Sequence, residues 1–316
     1  MSRRYDTLTP GNVRTGDQMK RYCFAIILSL LSSQAFALSC NSSAIETKVF
    51  TATSPGGQNI ENFEISVPSD YVVVGGGLDA GFNKKYIYAS YPKPDLSAWI
   101  ISAKDQVYAN YDSVTGYAIG MKVTGLTAAQ LKSHITINQQ NSGQYPYPNQ
   151  YRGGAAFAEA IGGGFDINWT GWGILAYRSF PESSGWRSTG KVAGNYEFGD
   201  LTNYTISING LYISQIGGSF KRFINQNESA PGQHIQSTAP VTGSTKLVGC
   251  GARVTWNRPT CAGCADIDGP GHNLWKIKPT VSGTTPTGCE AGSKDLLYAD
   301  GDETIISYAM GLSICN

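Results

Sequence analysis

Histidine is nearly missing from this chain: there are three in 316 residues, His134, His234 and His272. None lies in an H-E-x-x-H run and no G-x-S-x-G elbow accompanies them, so a zinc protease of that type and an α/β-hydrolase lack their usual carriers. Charge is thin as well, at 15% Asp, Glu, Lys and Arg, with no basic run or stripe. Nucleic acid and anionic membrane surfaces are therefore not expected partners. No cysteine stands between residues 41 and 249, and past residue 37 no apolar run is long enough for a membrane-crossing helix. A dinucleotide fingerprint is also lacking. VVVGGGLDAG at 72–81 runs β-branched residues into three glycines, but no helical pattern follows to carry a phosphate-binding turn.

What is present begins at Met19. MKRYCFAIILSLLSSQAFA has basic residues, an apolar stretch and a small-x-small ending, which predicts a signal peptide over 19–37 and leaves 1–18 as an upstream extension that is not translated. Residues 1–37 hold five of the 24 Lys and Arg and two of the 23 Asp and Glu, so the remaining chain carries 19 against 21, a formal charge of −2. It is expected to be secreted or on the extracellular surface. It keeps six cysteines, Cys40, Cys250, Cys261, Cys264, Cys289 and Cys315, an even number that suits three disulfides in an oxidising compartment. Five of them lie beyond residue 249, which predicts a stapled last third with Cys40 tying the N-terminus to it. Cys261-Ala-Gly-Cys264 also has the spacing of a zinc or redox pair, but Pro259 and Gly263 oppose the helix that redox chemistry needs.

The glycine phrase returns. VVVGGG, AIGGGF and LVGCGA place their glycines near 75, 162 and 249, a spacing of 87 residues each time. Other landmarks keep phase: IYASYP, ILAYRSFP and LWKIKP; then Trp99 and Trp186; then SAKD, STGK and GSKD; then TGYAIGMKV, NYTISING and SYAMGLSI. The reading is an all-β chain of three repeats of about 87 residues, either β-prism-like or tandem small β-sandwiches, divided as 38–136, 137–232 and 233–316. The recurrent glycines read as a structural bend where backbone approaches closely. The polar stretches 136–150 and 221–233 read as boundaries, and TAAQLKSHI at 127–135 as the one short helix.

Candidate sites follow the repeat. Trp99 with Lys104 and Asp105, Trp186 with Lys191, and Lys294 with Asp295 stand in matching places and form a set of ligand-binding candidates: stacking platforms beside polar groups facing a hydroxyl-rich ligand. The competing reading makes the indoles core and the Lys–Asp pairs surface ion pairs of little net worth. In the third copy Gly288-Cys289 alters any platform. Asp266, Asp268 and Asn273 place oxygens around tight turns and form a calcium candidate, without the full EF-hand spacing. No other cofactor is expected. His272 is the one histidine with a candidate catalytic setting, while Glu159 with Asp166, or Asp295 with Asp300, are the carboxylates a glycoside hydrolase would need. Asn41, Asn168, Asn203 and Asn227 match the N-glycosylation pattern.

The leading expectation is an exported, non-enzymatic binding protein, carbohydrate-binding or adhesin-like, whose repeated sites bind a glycan or cell-surface protein with avidity. Alternatives are a secreted structural or toxin-like protein that self-associates, and a carboxylate-based glycoside hydrolase.

Overall fold

The computed structural model describes residues 39–316 apart from 83–84, 106–108, 170–172, 193–197, 257–271 and 295–302. The signal segment therefore lies outside the described residues. After the short β1 (Cys40–Asn41), the first copy supplies β2 (Ile45–Thr53), β3 (Asn59–Ser66), β4 (Val72–Asp79), β5 (Tyr86–Pro92), β6 (Ala98–Lys104) and β7 (Thr115–Val123). The second supplies β8 (Ile135–Asn141), β9 (Asn149–Gly153), β10 (Ala158–Trp169), β11 (Ile174–Glu182), β12 (Gly185–Val192) and β13 (Gly199–Asn209). The third supplies β14 (Ser219–Glu228), β15 (His234–Pro240), β16 (Lys246–Trp256), β17 (Asn273–Ser282), β18 (Thr285–Lys294) and β19 (Glu303–Cys315). The chain is all-β and repetitive, as its spacing predicts. The expected short α-helix, α1 (Ala128–Ser133), starts where the sequence places it, with Thr127 and Gln130 forming a reciprocal capping box.

Three antiparallel sheets result, and no sheet belongs to a single copy. The first runs β3-β6-β5-β10-β13-β8, and the second β9-β12-β11-β16-β19 with β14 and β1 both on β19. The third runs β15-β18-β17-β4-β7-β2, joining the last copy to the first. Each sheet is thus half one copy and half the next. The seams are narrow: Ser90 and Ala89 pair with Phe165 and Asp166, Ser179 and Arg178 with Ala252 and Arg253, and Ile277 and Lys276 with Leu78 and Asp79.

The glycine phrase makes these junctions possible, and each of its three positions has its own reason. Before the first glycine the strand bulges, at Val74, Ile161 and Val248, all fully buried. A Cβ on Gly162 would stand 2.6 Å from the Val74 carbonyl oxygen, one on Gly249 2.6 Å from that of Ile161, and one on Gly75 closer still to that of Val248. The three bulges therefore touch in a cycle, backbone on backbone. The second position meets a side chain. Gly76 lies under the Trp99 ring and Gly163 under the Trp186 ring, each closer than 3.0 Å to a built Cβ. The third copy has Cys250 there, joined to Cys289 by a disulfide. The third position, Gly77, Gly164 and Gly251, faces the carbonyls of Ile277, Ser90 and Ser179 on the neighbouring copy.

The two tryptophans and Cys289 are the same position, since each stands opposite a proline of the neighbouring strand: Pro92 with Trp99, Pro181 with Trp186, Pro279 with Cys289. Burying an indole leaves its N–H in need of an acceptor. Trp99 Nε1 donates to Ser90 Oγ at 2.9 Å and Trp186 Nε1 to Ser179 Oγ at 2.8 Å. The third copy has Ile277 in place of that serine, and Cys289 rather than an indole opposite its proline.

One expectation is revised. The polar stretches read as boundaries carry strands: β8 and β9 lie in or across 136–150 and β14 in 221–233. All three are edge strands, or pair on one side only over most of their length, so their Asn- and Gln-rich faces meet water and hide the alternation. A second disulfide, Cys40–Cys315, holds β1 to the end of β19, as the cysteine spacing anticipates. Cys261 and Cys264 lie outside the described residues.

Candidate functional site

The residues singled out by the repeat fall mostly inside. Trp99 and Trp186 are 1% and 0% exposed, so they are core side chains in the folded protein and present no stacking face. The recurrent lysines keep phase but are also buried: Lys104, Lys191 and Lys294 are 6%, 4% and 6% exposed. Lys104 Nζ sits 3.8 Å over the Trp169 ring and Lys294 Nζ 4.5 Å over Tyr86. Burial pulls the Lys294 pKa down to about 8. Asp105, buried as well, caps its own loop by accepting the Asn110 N–H at 3.0 Å. It lies within Coulombic reach of buried Lys85, whose ammonium donates to the Gln58 and Asn110 carbonyls. Asp295, Asp266 and Asp268 lie outside the described residues, and Asn273 is fully buried. Among the described residues no group of three or more His, Cys, Asp or Glu gathers as metal ligands.

The catalytic candidates are also placed. Glu159 pairs with Lys221 at 3.0 Å and stands seven residues from Asp166 on one strand, roughly 20 Å by strand rise and too far for a hydrolytic carboxylate pair. Asp300 is outside the described residues. His272 has company: Nδ1 is 3.3 Å from Ser293 Oγ and Nε2 is 2.5 Å from Glu303 Oε2, off the angle of a hydrogen bond. Histidine and serine are fully buried and the glutamate is 6% exposed. The other copies show what this cluster is. At the histidine position they carry Lys85 and Ile174, at the serine position Ala103 and Gly190, and at the glutamate position Asp112 and Gly199. Lys85 with Asp112 also sets a basic side chain near an acid, and Ile174 against Gly199 replaces it with an apolar contact. It is a core position filled three ways.

Other repeated polar and aromatic groups lie at the seams, where Tyr91, Tyr117, Tyr204 and Lys278 are partly exposed and Phe180, Tyr308 and Arg178 are buried. A tyrosine stands opposite the third glycine in every copy: Tyr117, Tyr204 and Tyr308. Its signal was in the sequence, at the head of TGYAIG, NYTISI and SYAMGL. Beside it, from the partner copy, come Lys278, Tyr91 and Phe180. At the first seam Tyr91 and Tyr204 stack, 5.0 Å between centroids and 11° between planes, both half-buried. Asp166 sits on the same face; burial, then the Asp200 carboxylate, raises its pKa. The Tyr91 hydroxyl reaches Asn62 Oδ1 at 3.3 Å, and burial pushes its pKa up to about 12, with Tyr204 raised for the same reason. Tyr204 also lines an open cleft of about 510 Å³ with Pro92, Asp95, Lys132 and Gln139.

At the second seam Phe180 and Tyr308 stack at 5.7 Å and 25°, with Arg178 and Arg253 opposite one another across the strands. The third seam is internally neutralised. Lys278 pairs with Asp79 at 3.1 Å and Glu290 at 3.4 Å, and Lys276 with Glu290 at 2.7 Å. The three seams share one plan and differ in charge. No protein-family model and no curated protein matches this chain.

Proposed function

We propose that the chain is an exported, non-enzymatic carbohydrate-binding protein whose three sheets are the faces of one β-prism-like body, with ligand sites at the seams. The Tyr91–Tyr204 pair carries the reading. Two half-buried parallel rings, of which Tyr204 lines an open cleft, with Asp166, Asn62 and Gln139 as nearby hydrogen-bonding groups, match what a sugar ring asks of a protein: an apolar face flanked by planar polar side chains. The closed cycle of pairing, first copy to second to third to first, supports the single body. The signal-like segment and two disulfides support export. Three quasi-equivalent seams suit a repetitive ligand, where weak sites gain avidity.

A glycan-array screen of the oxidised protein beside Tyr91→Ala and Tyr204→Ala tests this. Binding lost by at least tenfold in variants that keep their melting temperature upholds the site. Binding unchanged in both variants removes the seam from consideration, and no binding to any glycan removes the carbohydrate reading.

A second reading has one observation behind it. Phe157, Leu211 and Tyr212 are 80%, 55% and 69% exposed and lie on adjoining segments, with the Gly210 N–H bonded to the Phe157 carbonyl at 2.9 Å. Such a patch suits self-association, as a structural or toxin-like protein would need. Sedimentation showing a monomer at high concentration would dismiss it.

A further inference from the structure

Among the described residues, Asn62, Leu96, Phe157 and Ser183 hold a positive φ without being glycine, and two of them are bulky: Leu96 at 58° and Phe157 at 57°. A large side chain in the left-handed region strains the backbone. Leu96 offsets that strain by burial, being 4% exposed, whereas Phe157 is 80% exposed and gains no packing in return. The turn that sets it is firmly tied. Ala158 N–H donates to the Ala155 carbonyl at 3.2 Å, and the Phe157 carbonyl accepts the Gly210 N–H at 2.9 Å. On the segment it meets, Leu211 and Tyr212 are 55% and 69% exposed, with Leu211 N–H bonded to Asn209 Oδ1 at 3.0 Å and Ile213 buried just beyond. Ordered backbone thus carries three large apolar side chains into solvent where β10 begins and β13 ends.

The repeat shows that the fold does not demand this tip. Counted back from the bulges at Val74, Ile161 and Val248, the place of Phe157 is taken by Asp70 in the first copy and Ser244 in the third. Counted on from Tyr117, Tyr204 and Tyr308, Leu211 and Tyr212 answer to Thr124 and Gly125 in the first copy and to Cys315 and Asn316 in the third. Asp70 pairs with Lys122, and Cys315 is joined to Cys40. Three bulky apolar residues come together here in the second copy alone. The charges beside them are already matched. Glu159, two residues from Phe157, pairs with Lys221 at 3.0 Å, and Arg222 turns its terminal nitrogens onto the Ala160 and Ser183 carbonyls at 3.3 and 2.8 Å.

We propose that Phe157, Leu211 and Tyr212 enter the interfacial layer of a lipid bilayer and hold the protein at a zwitterionic membrane surface. Phenylalanine and leucine supply apolar groups for the boundary of the acyl chains, and tyrosine suits the headgroup level, where one end of the ring is dry and the other wet. Size favours lipid over a second copy. Three such side chains present at most roughly 500 Å² of apolar surface, against about 800 Å² per partner in a stable protein pair. Self-association would need contacts beyond the tip, whereas a bilayer takes in single side chains. Charge agrees: beyond residue 37 the chain has 19 Lys and Arg against 21 Asp and Glu, so attraction to anionic lipid is not the driving force. This contact is separate from the carbohydrate site and does not rest on it.

The test is flotation of the oxidised protein with phosphatidylcholine vesicles, with and without added phosphatidylglycerol, at low and physiological salt. These vesicles carry no glycan, so the result is independent of the glycan array. The wild type should float with phosphatidylcholine alone, and neither anionic lipid nor low salt should strengthen it. Phe157→Asn with Leu211→Ser should cut partitioning about tenfold or more. Asparagine tolerates the left-handed backbone, so this variant should keep or raise its melting temperature. Tyr111→Ser, which removes a ring 69% exposed in the first copy, should float like wild type. No flotation of the wild type overturns the proposal, as does flotation that the double variant retains. Binding that appears only with phosphatidylglycerol and vanishes in salt overturns apolar insertion. Sedimentation velocity on the same proteins supplies the last arm: self-association lost in the double variant, without flotation of the wild type, assigns the tip to a second copy and overturns the membrane contact.

Discussion

The Trp186 ring lies on the bare α-carbon of Gly163, and in the third copy a disulfide between Cys250 and Cys289 occupies the same two positions. A large indole over a glycine and a covalent bridge between two small residues are alternative ways of joining a glycine-phrase strand to the neighbouring hairpin. The first fills space and brings a hydroxyl acceptor with it; the second fills less space and closes a loop over a sequence separation of 39 residues.

This exchange is testable by transplantation. Cys289→Ala should cost about 2–4 kcal/mol, as the loss of a bridge over a medium loop does. Cys250→Gly with Cys289→Trp restores the pattern of the first two copies but leaves the indole N–H facing Ile277. Adding Ile277→Ser should recover about 1–3 kcal/mol of stability, the cost of an unsatisfied buried donor. Urea denaturation of the three variants measures it, and no recovery on adding the serine would show that the positions are not interchangeable.

At the bulge cycle the obstacle is backbone and cannot rotate away. Gly162→Ala puts a methyl 2.6 Å from the Val74 carbonyl oxygen, and should destabilise by about 1–3 kcal/mol. Gly153→Ala, whose nearest neighbour would be the Tyr151 hydroxyl at 3.8 Å, should stay within about 0.5 kcal/mol of wild type. Equal effects at both sites, read from thermal melts, would contradict the close approach.

Lys294 gives a pH signature. Its folded pKa is near 8, below the value of about 10.4 for an exposed lysine. Between those values the unfolded chain holds a proton that the folded one has released, so this group makes stability rise with pH across that window. Below pH 8 both states are charged and the burial penalty is complete. Lys294→Met should therefore stabilise the protein at pH 7 by about 1–3 kcal/mol, and the gain should fade towards pH 10.5. The difference between variant and wild-type unfolding free energies, followed from pH 6 to 10.5, checks this; a gain that ignores pH would rule out the titration.

The His272–Glu303 contact should behave as a core pair. Glu303→Gly alone leaves the imidazole buried beside an empty acid position, while His272→Ile with Glu303→Gly copies the Ile174–Gly199 contact of the second repeat. The double variant should be more stable than the single one by about 0.5–3 kcal/mol in a double-mutant cycle. Additive losses would mean that the two residues do not act together.

The sequence was most legible where backbone geometry dictates residue type. The recurrent glycines announced the repeat because nothing larger fits where strand meets strand, and Cys40 announced a tie from the N-terminus to the cysteine-rich last third, whose partner, Cys315, only the structure shows. It was least legible where one pattern has two physical causes. A tryptophan in phase in two copies marks a surface platform or a core plug equally well, and only burial at 1% and 0% separates them. Lys104, Lys191 and Lys294 read as surface groups for the same reason, yet they lie inside, two of them over aromatic rings. Asn- and Gln-rich β8 and β14 read as linkers because strands at the rim of a sheet need no apolar alternation.

By itself the sequence determined the all-β class, the three copies and the cysteines available for bridging, because these follow from local propensity, spacing and composition. Only the tertiary structure decided which residues share a seam. Arg178 and Arg253 stand in different copies and at different places in the repeat, and Tyr91 and Tyr204 are likewise distant along the chain. They become neighbours because each copy leaves its sheet unfinished and the next copy completes it, and long-range strand pairing of that kind leaves no local mark in a chain.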